Sequence, residues 1–202
     1  MDEIVLRAMQ KWPSVPSIYG WLALDRRGNW SIKGERIVNP AITDFIGRNY
    51  ARDEQGRWYF QNGPQKVFVK LAYTPFVFRT QGDAARSLKL VAHTGTAVDD
   101  LREAFLDEAG ALLVNAGCGL GLIDDRDLPG ILSSLLGAGG EPLDDRAIEQ
   151  LLLEKVQSTR PTGTLLHLGS QAVPVSLISS ADVATGFGFD PDPRPAPGEP
   201  EC

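Results

Sequence analysis

The sequence predicts an α+β fold assembled from antiparallel hairpins, and three observations carry that expectation. Asp-x-x-Gly stands between apolar runs at Asp25–Gly28, Asp53–Gly56 and Asp107–Gly110. Asn62-Gly63 separates two runs of strand-forming residues. Other segments repeat their apolar residues at helical spacing. In an Asp-x-x-Gly turn the aspartate side chain bonds the backbone, and the glycine accepts a positive φ that a Cβ would make costly. The three turns lie 28 and then 54 residues apart, so they are one turn reused and not a sequence repeat.

Residues 2–12 predict a helix, with Ile4, Val5, Ala8, Met9 and Trp12 on one face and Pro13 ending it. Ile18–Leu24 and Asn29–Ile32 are strands around the first Asp-x-x-Gly. Asn39-Pro40 starts a second helix, because asparagine caps free N–H groups and proline at the first helical position loses nothing by lacking one. Ile42, Phe45, Ile46 and Tyr50 form its apolar stripe.

The second Asp-x-x-Gly leads into the clearest hairpin, Arg57–Gln61, Asn62-Gly63 and Pro64–Leu71. A two-residue loop at Asn62-Gly63 sets Trp58 opposite Val67 and Tyr59 opposite Lys66. One face then carries Trp58, Phe60, Val67, Val69 and Leu71, which belong to the core. The other carries Arg57, Tyr59, Lys66, Phe68 and Lys70, and Phe68 there needs a cover. Trp21 and Trp30 are assigned to the core with Trp58.

Phe76–Thr80 and Leu88–Ala92 form a further antiparallel pair, and Ala104–Leu106 and Ala111–Asn115 flank the third Asp-x-x-Gly. Leu120–Ile123 is one more strand. Asp124, Asp125 and Asp127 precede a helix with Leu128, Ile131, Leu132, Leu135 and Leu136 on its face, stopped by Gly137. Acids before such a run are capping residues first and Mg²⁺ ligands second. Ile148, Leu151, Leu152 and Val156 mark a fourth helix, and Gly169-Ser170 turns a last hairpin between Thr164–Leu168 and Val173–Ile178. Residues 190–202 hold five prolines and predict a disordered tail. The expected organisation is residues 1–100, then 101–189 packed on them, then the tail.

At 202 residues with 43% hydrophobic content, the chain can bury an adequate core without disulfides or metal. Two cysteines, Cys118 and Cys202, form no framework. No apolar stretch is long enough for a membrane span, and Met1-Asp2-Glu3 lacks the basic start of a secretory signal, so a soluble cytoplasmic protein is expected. The net charge of −6 divides unevenly: residues 1–80 carry 12 Lys/Arg against 7 Asp/Glu, and residues 81–202 carry 8 against 19. The basic residues are scattered, which argues against nucleic-acid binding.

The usual catalytic signatures are missing. Gly117-Cys118-Gly119-Leu120-Gly121 has its third glycine one residue too early for a dinucleotide fingerprint, and strand-like Leu122-Ile123 follows. Its glycines are read as permitting close packing. Cys118 is read as an inert thiol, and two histidines without a cysteine pair supply no zinc site. His93 stands in a loop after a strand, where function can reside.

Lys11-Trp12-Pro13-Ser14-Val15-Pro16, Tyr19-Gly20-Trp21-Leu22, Phe45-Ile46-Gly47-Arg48-Asn49-Tyr50 and Trp58–Gln65 carry a resemblance. On these motifs the chain resembles an uncharacterised proteobacterial family of about this length, known only as a domain of unknown function. The resemblance runs through Thr74-Pro75 and His93-Thr94-Gly95 to Phe187-Gly188-Phe189. The order of elements is also similar to a second uncharacterised bacterial family, which implies an α+β fold in two segments. Neither resemblance implies an activity, a cofactor or site residues.

The expected function is therefore a non-enzymatic binding or protein-interaction module without cofactor or metal. Its partner is a small molecule or a protein, a second copy of the chain included. Arg57, Tyr59, Lys66, Phe68, Lys70 and His93 are the candidate binding residues. The alternative is an enzyme whose site gathers His93, Asp124 and Cys118, which requires them to converge within about 3 Å hydrogen-bond reach.

Overall fold

The computed structural model describes residues 1–82, 88–153 and 159–195, and Val156 and residues 196–202 of the expected tail lie outside them. The fold is α+β, in two compact units. The first comprises Met1–Pro75, His93–Gly95 and the segment beginning at Phe187; the second comprises Phe76–Ala92 and Thr96–Gly186.

The first unit runs α1 (Glu3–Lys11), β1 (Ile18–Leu24), β2 (Trp30–Ile32), β3 (Glu35–Arg36), α2 (Pro40–Arg48), β4 (Tyr50–Arg52), β5 (Trp58–Asn62) and β6 (Gln65–Leu71). Its strands form one sheet in the order β3-β2-β1-β6-β5-β4. Asn39 caps α2 as expected, its Oδ1 accepting the Ala41 N–H at 3.0 Å. Trp58, Phe60, Val67, Val69 and Leu71 are buried, and Phe45 of α2 meets the Phe60 ring edge-on at 5.5 Å.

The second unit runs β7 (Phe76–Gln81), β8 (Lys89–Ala92), β9 (Ala97–Val98), β10 (Glu103–Leu106), β11 (Leu112–Ala116), β12 (Gly119–Ile123), α3 (Leu128–Leu132) and β13 (Leu135–Leu136). It continues with α4 (Asp145–Leu153), β14 (Arg160–Leu168), β15 (Gln171–Leu177), a 3₁₀ turn (Ser180–Asp182) and α5 (Val183–Gly186). The strands form one sheet in the order β13-β14-β15-β10-β11-β12-β7-β8-β9. Among the described residues, no helix is long and apolar enough to cross a membrane.

All three Asp-x-x-Gly turns have the same geometry. At each, the aspartate Oδ1 accepts backbone N–H groups two and four residues on, and the glycine has φ of 75°, 81° and 79° in turn. The glycine N–H returns to the aspartate carbonyl at 3.0–3.1 Å.

Four expectations need correction. The sheets are mixed, not purely antiparallel: β1 pairs parallel with β6, β10 with β15 and β12 with β7. Hairpin signals report only neighbours in sequence, whereas these pairs are joined by long crossovers. The β5–β6 loop is Gly63-Pro64, with Asn62 opposite Gln65 and Tyr59 opposite Phe68. An Asn62-Gly63 loop would have put Pro64, which has no N–H, in the closing pair; instead Gly63 takes φ 58° and Pro64 sits in the turn. Sliding the pairing by two residues preserves both faces.

The helix after Asp127 stops at Leu132, and Leu135-Leu136 pair with Leu166 and Leu165 of β14. Pro129, Gly130, Ser133 and Ser134 give that segment little helical preference. Trp21 is 40% exposed and is not core. The register shift between Ile18 and Leu22 keeps the parity of β1, so Leu22 and Leu24 face the core with Val69 and Leu71 and Trp21 lies on the other face.

Candidate functional site

The β5–β6 hairpin sets Arg57, Tyr59, Lys66, Phe68 and Lys70 on one face of the six-stranded sheet. On β1, Ala23 pairs with Lys70, so Trp21, two residues before Ala23, points to this face as well. Tyr19 stacks on Phe68 with ring centroids 4.6 Å apart, and Tyr59 meets Phe68 edge-on at 5.8 Å. The three rings form a buried cluster, with Phe68 only 2% exposed. Burying a side chain of that size contributes about 1.5–3 kcal/mol, so this cluster stabilises the unit.

Cations lie on the rings. The Arg57 guanidinium is 4.4 Å from the Phe68 centroid, Lys66 Nζ is 4.7 Å from Tyr59 and Lys33 Nζ is 3.6 Å from Trp21. Each such contact is worth about 0.5–1 kcal/mol at an exposed site. Arg57 is fixed further: its Nε donates to Asp53 Oδ2 at 2.7 Å and its Nη1 to the Tyr19 hydroxyl at 3.3 Å. Burial raises the Tyr59 hydroxyl pKa, and the Asp53 carboxylate raises it further. Lys33 holds its position from a left-handed backbone, φ 49°, in a two-residue turn with Gly34. Sequence reasoning missed the Trp21–Lys33 pair. The short spacer Lys33-Gly34 between Ile32 and Glu35 was the signal that could have found it.

The candidate residues divide. Arg57, Tyr59, Lys66 and Phe68 come together, and Lys70 lies on the same face, 3.8 Å from Asp192. His93 does not join them. Its ring packs 5.1 Å from Trp30 and 5.9 Å from Tyr50, whose own ring lies 4.8 Å from Trp58. Trp58 and Tyr59 are successive strand residues, so His93 belongs to the opposite face of the sheet. Tyr50 is half-buried there, its hydroxyl donating to the Pro75 carbonyl at 3.1 Å, and desolvation of that hydroxyl pushes its pKa well above the ordinary tyrosine value.

The family model DUF2944, described as a protein of unknown function (DUF2946), matches residues 1–194. The chain belongs to this family. Two solved structures are similar to this DUF2944 chain. One is a DUF1285 family protein from Silicibacter pomeroyi DSS-3, with 18% identity, 86% of this chain and 94% of that chain covered, and a TM-score of 0.49. The other is a DUF1285 family protein from Shewanella baltica OS155, with 13% identity, 56% and 87% covered, and a TM-score of 0.41. No curated protein matches.

In the second unit of this DUF2944 chain, Cys118 and Asp124 flank the five residues of β12. At strand rise they are roughly 20 Å apart, far beyond the hydrogen-bond reach that a shared catalytic site requires. Burial raises the Cys118 thiol pKa, which disfavours a thiolate. Asp124 is committed to Arg79 and Arg126. Gly121 lies against the Phe78 ring, where a Cβ would collide, so the glycine-rich run serves close packing. A groove of about 710 Å³ also lies in this unit, with Leu90, Val98 and Leu168 along it and Lys89, Asp99 and Gln171 as its polar groups. It is assembled from both β8–β9 and the β14–β15 turn, so no local motif announces it. Gln171 Oε1 already accepts the Leu101 N–H at 2.9 Å.

Proposed function

We propose that the chain is a non-enzymatic interaction protein whose lysine–aromatic sheet face docks an acidic segment of a protein partner. The observation that carries this is the set of cations resting on rings on one side of one sheet: Lys33 on Trp21, Lys66 on Tyr59 and Arg57 on Phe68. A ring holds an ammonium in place yet leaves N–H groups free for a carboxylate. The cost of ordering a long lysine side chain is thereby met before the partner arrives. Trp21, 40% exposed, adds apolar contact area beside the charges.

A chain with Lys33, Lys66 and Lys70 all changed to Glu tests this. A fluorescein-labelled oligoglutamate peptide should bind the native chain at low ionic strength and dissociate as salt is added. The triple variant should lose at least tenfold in affinity, since three rim charges at about 0.5–1 kcal/mol each exceed that factor. Light scattering on the same samples shows whether the acidic residues of a second copy serve as the partner. Equal binding by the variant, or no binding by the native chain, overturns the proposal.

A further inference from the structure

Resting on that docking face, we infer that residues 190–195 are its built-in competitor, and that the partner it takes is an extended acidic peptide spaced by prolines. The segment reads Asp190-Pro191-Asp192-Pro193-Arg194-Pro195. Proline at alternate positions keeps such a chain extended and keeps it from pairing as an inner strand. It is nevertheless seated on the sheet of the first unit. The Asp190 N–H donates to the Gly56 carbonyl at 3.1 Å, and the Leu71 N–H donates to the Pro191 carbonyl at 2.8 Å. Phe189 and Pro193 are buried. Arg52 Nη2 reaches the Gly188 carbonyl.

That seating delivers a carboxylate to the basic row. Asp192 Oδ1 stands 3.8 Å from Lys70 Nζ, and Asp192 Oδ2 accepts from Arg194 Nη2 at 2.6 Å. Among the described residues, Lys33 and Lys66 make no ion pair, so one lysine of the row is matched from within and two are left for the partner. A tethered competitor acts at an effective concentration in the millimolar range, so even one exposed ion pair weakens what an incoming peptide gains. The segment also shows the mode of recognition: main-chain bonds at the strand ends, then a carboxylate on a lysine.

Asp192→Asn in the full chain removes the charge and keeps the main-chain bonds. Its affinity for the labelled oligoglutamate peptide should rise about two- to fivefold at low salt, the factor one exposed pair supplies. Lys70→Met, made in both backgrounds, should weaken binding more in the Asp192→Asn chain than in the native one. A purely structural strap would leave that difference at zero. Unchanged affinity in Asp192→Asn, with the native chain still binding and the triple Glu variant not, overturns the competitor and leaves the docking face standing. No binding by either the native or the Asp192→Asn chain overturns both.

Discussion

Asp124 is 1% exposed, and two guanidinium groups hold it. Arg126 Nη2 lies 2.5 Å from its carboxylate and Arg79 Nε lies 3.0 Å away, while its Oδ1 also accepts the Arg126 N–H. Hydrogen bonding from the Arg126 side chain outweighs burial and holds the carboxyl well below the usual carboxylate range. The two guanidinium groups are half-exposed, so Asp124→Asn leaves no buried charge and should cost about 2 kcal/mol, the scale of hydrogen bonds to a charged group, read as a lowered urea midpoint with an unchanged slope. The sequence shows three acids before an apolar run, which suggests caps. Asp127, however, makes no capping bond and accepts the Thr80 N–H instead. Both Arg79 and Thr80 lie more than forty residues away in the chain, beyond the reach of any local pattern.

At the scale of elements, turn chemistry was legible wherever a side chain bonds its own neighbours. Asp25, Asp53 and Asp107 could be read directly, as could the Asn39 cap. The face assignment of β5 and β6 survived a wrong loop because alternation has period two. Trp21 was misplaced because ring size was taken as the mark of core, although alternation with Leu22 and Leu24 puts it on the other face. Two glycines separate conformational strain from steric strain. Gly34 has φ 86° with open space around its Cα, and Gly34→Ala should cost about 1 kcal/mol. Gly56 has φ 81°, and a Cβ there would collide with the Gly188 carbonyl. Gly56→Ala should cost at least 1 kcal/mol more in denaturant unfolding and should speed hydrogen exchange at the Asp190 amide.

For the whole molecule, the class α+β was readable from local signals, and the mixed pairing was not, because β1–β6, β10–β15 and β12–β7 join distant segments. The charged groups predict a stability profile with two limbs. Asp124 and Glu108 have folded pKa values below their ordinary ones, Asp124 through Arg126 and Glu108 through Ser180. Their contribution is fully present above the unfolded carboxylate range and is lost as pH falls through the folded values. Tyr50 and Tyr59 are raised by burial, so theirs is present below about pH 10 and is lost as pH rises through the folded values. Urea midpoints should be level near neutrality, fall below about pH 4, and fall again above about pH 10. Asp124→Asn should flatten the acid limb and Tyr50→Phe the alkaline one; an alkaline limb unmoved in Tyr50→Phe would refute its assignment to that hydroxyl.

The first unit takes its final segment, Phe187 onward, only after the whole of residues 76–186 has intervened. On a ribosome adding about 5–20 residues per second, Met1–Pro75 must wait roughly ten seconds for Phe189 and Pro191 to arrive. Until then the Gly56 carbonyl and the Leu71 N–H have neither of the bonds they make in the finished fold. The nascent chain thus passes through an interval in which Lys70 has no Asp192 beside it, and that interval ends once the segment beginning at Phe187 has been made and seated.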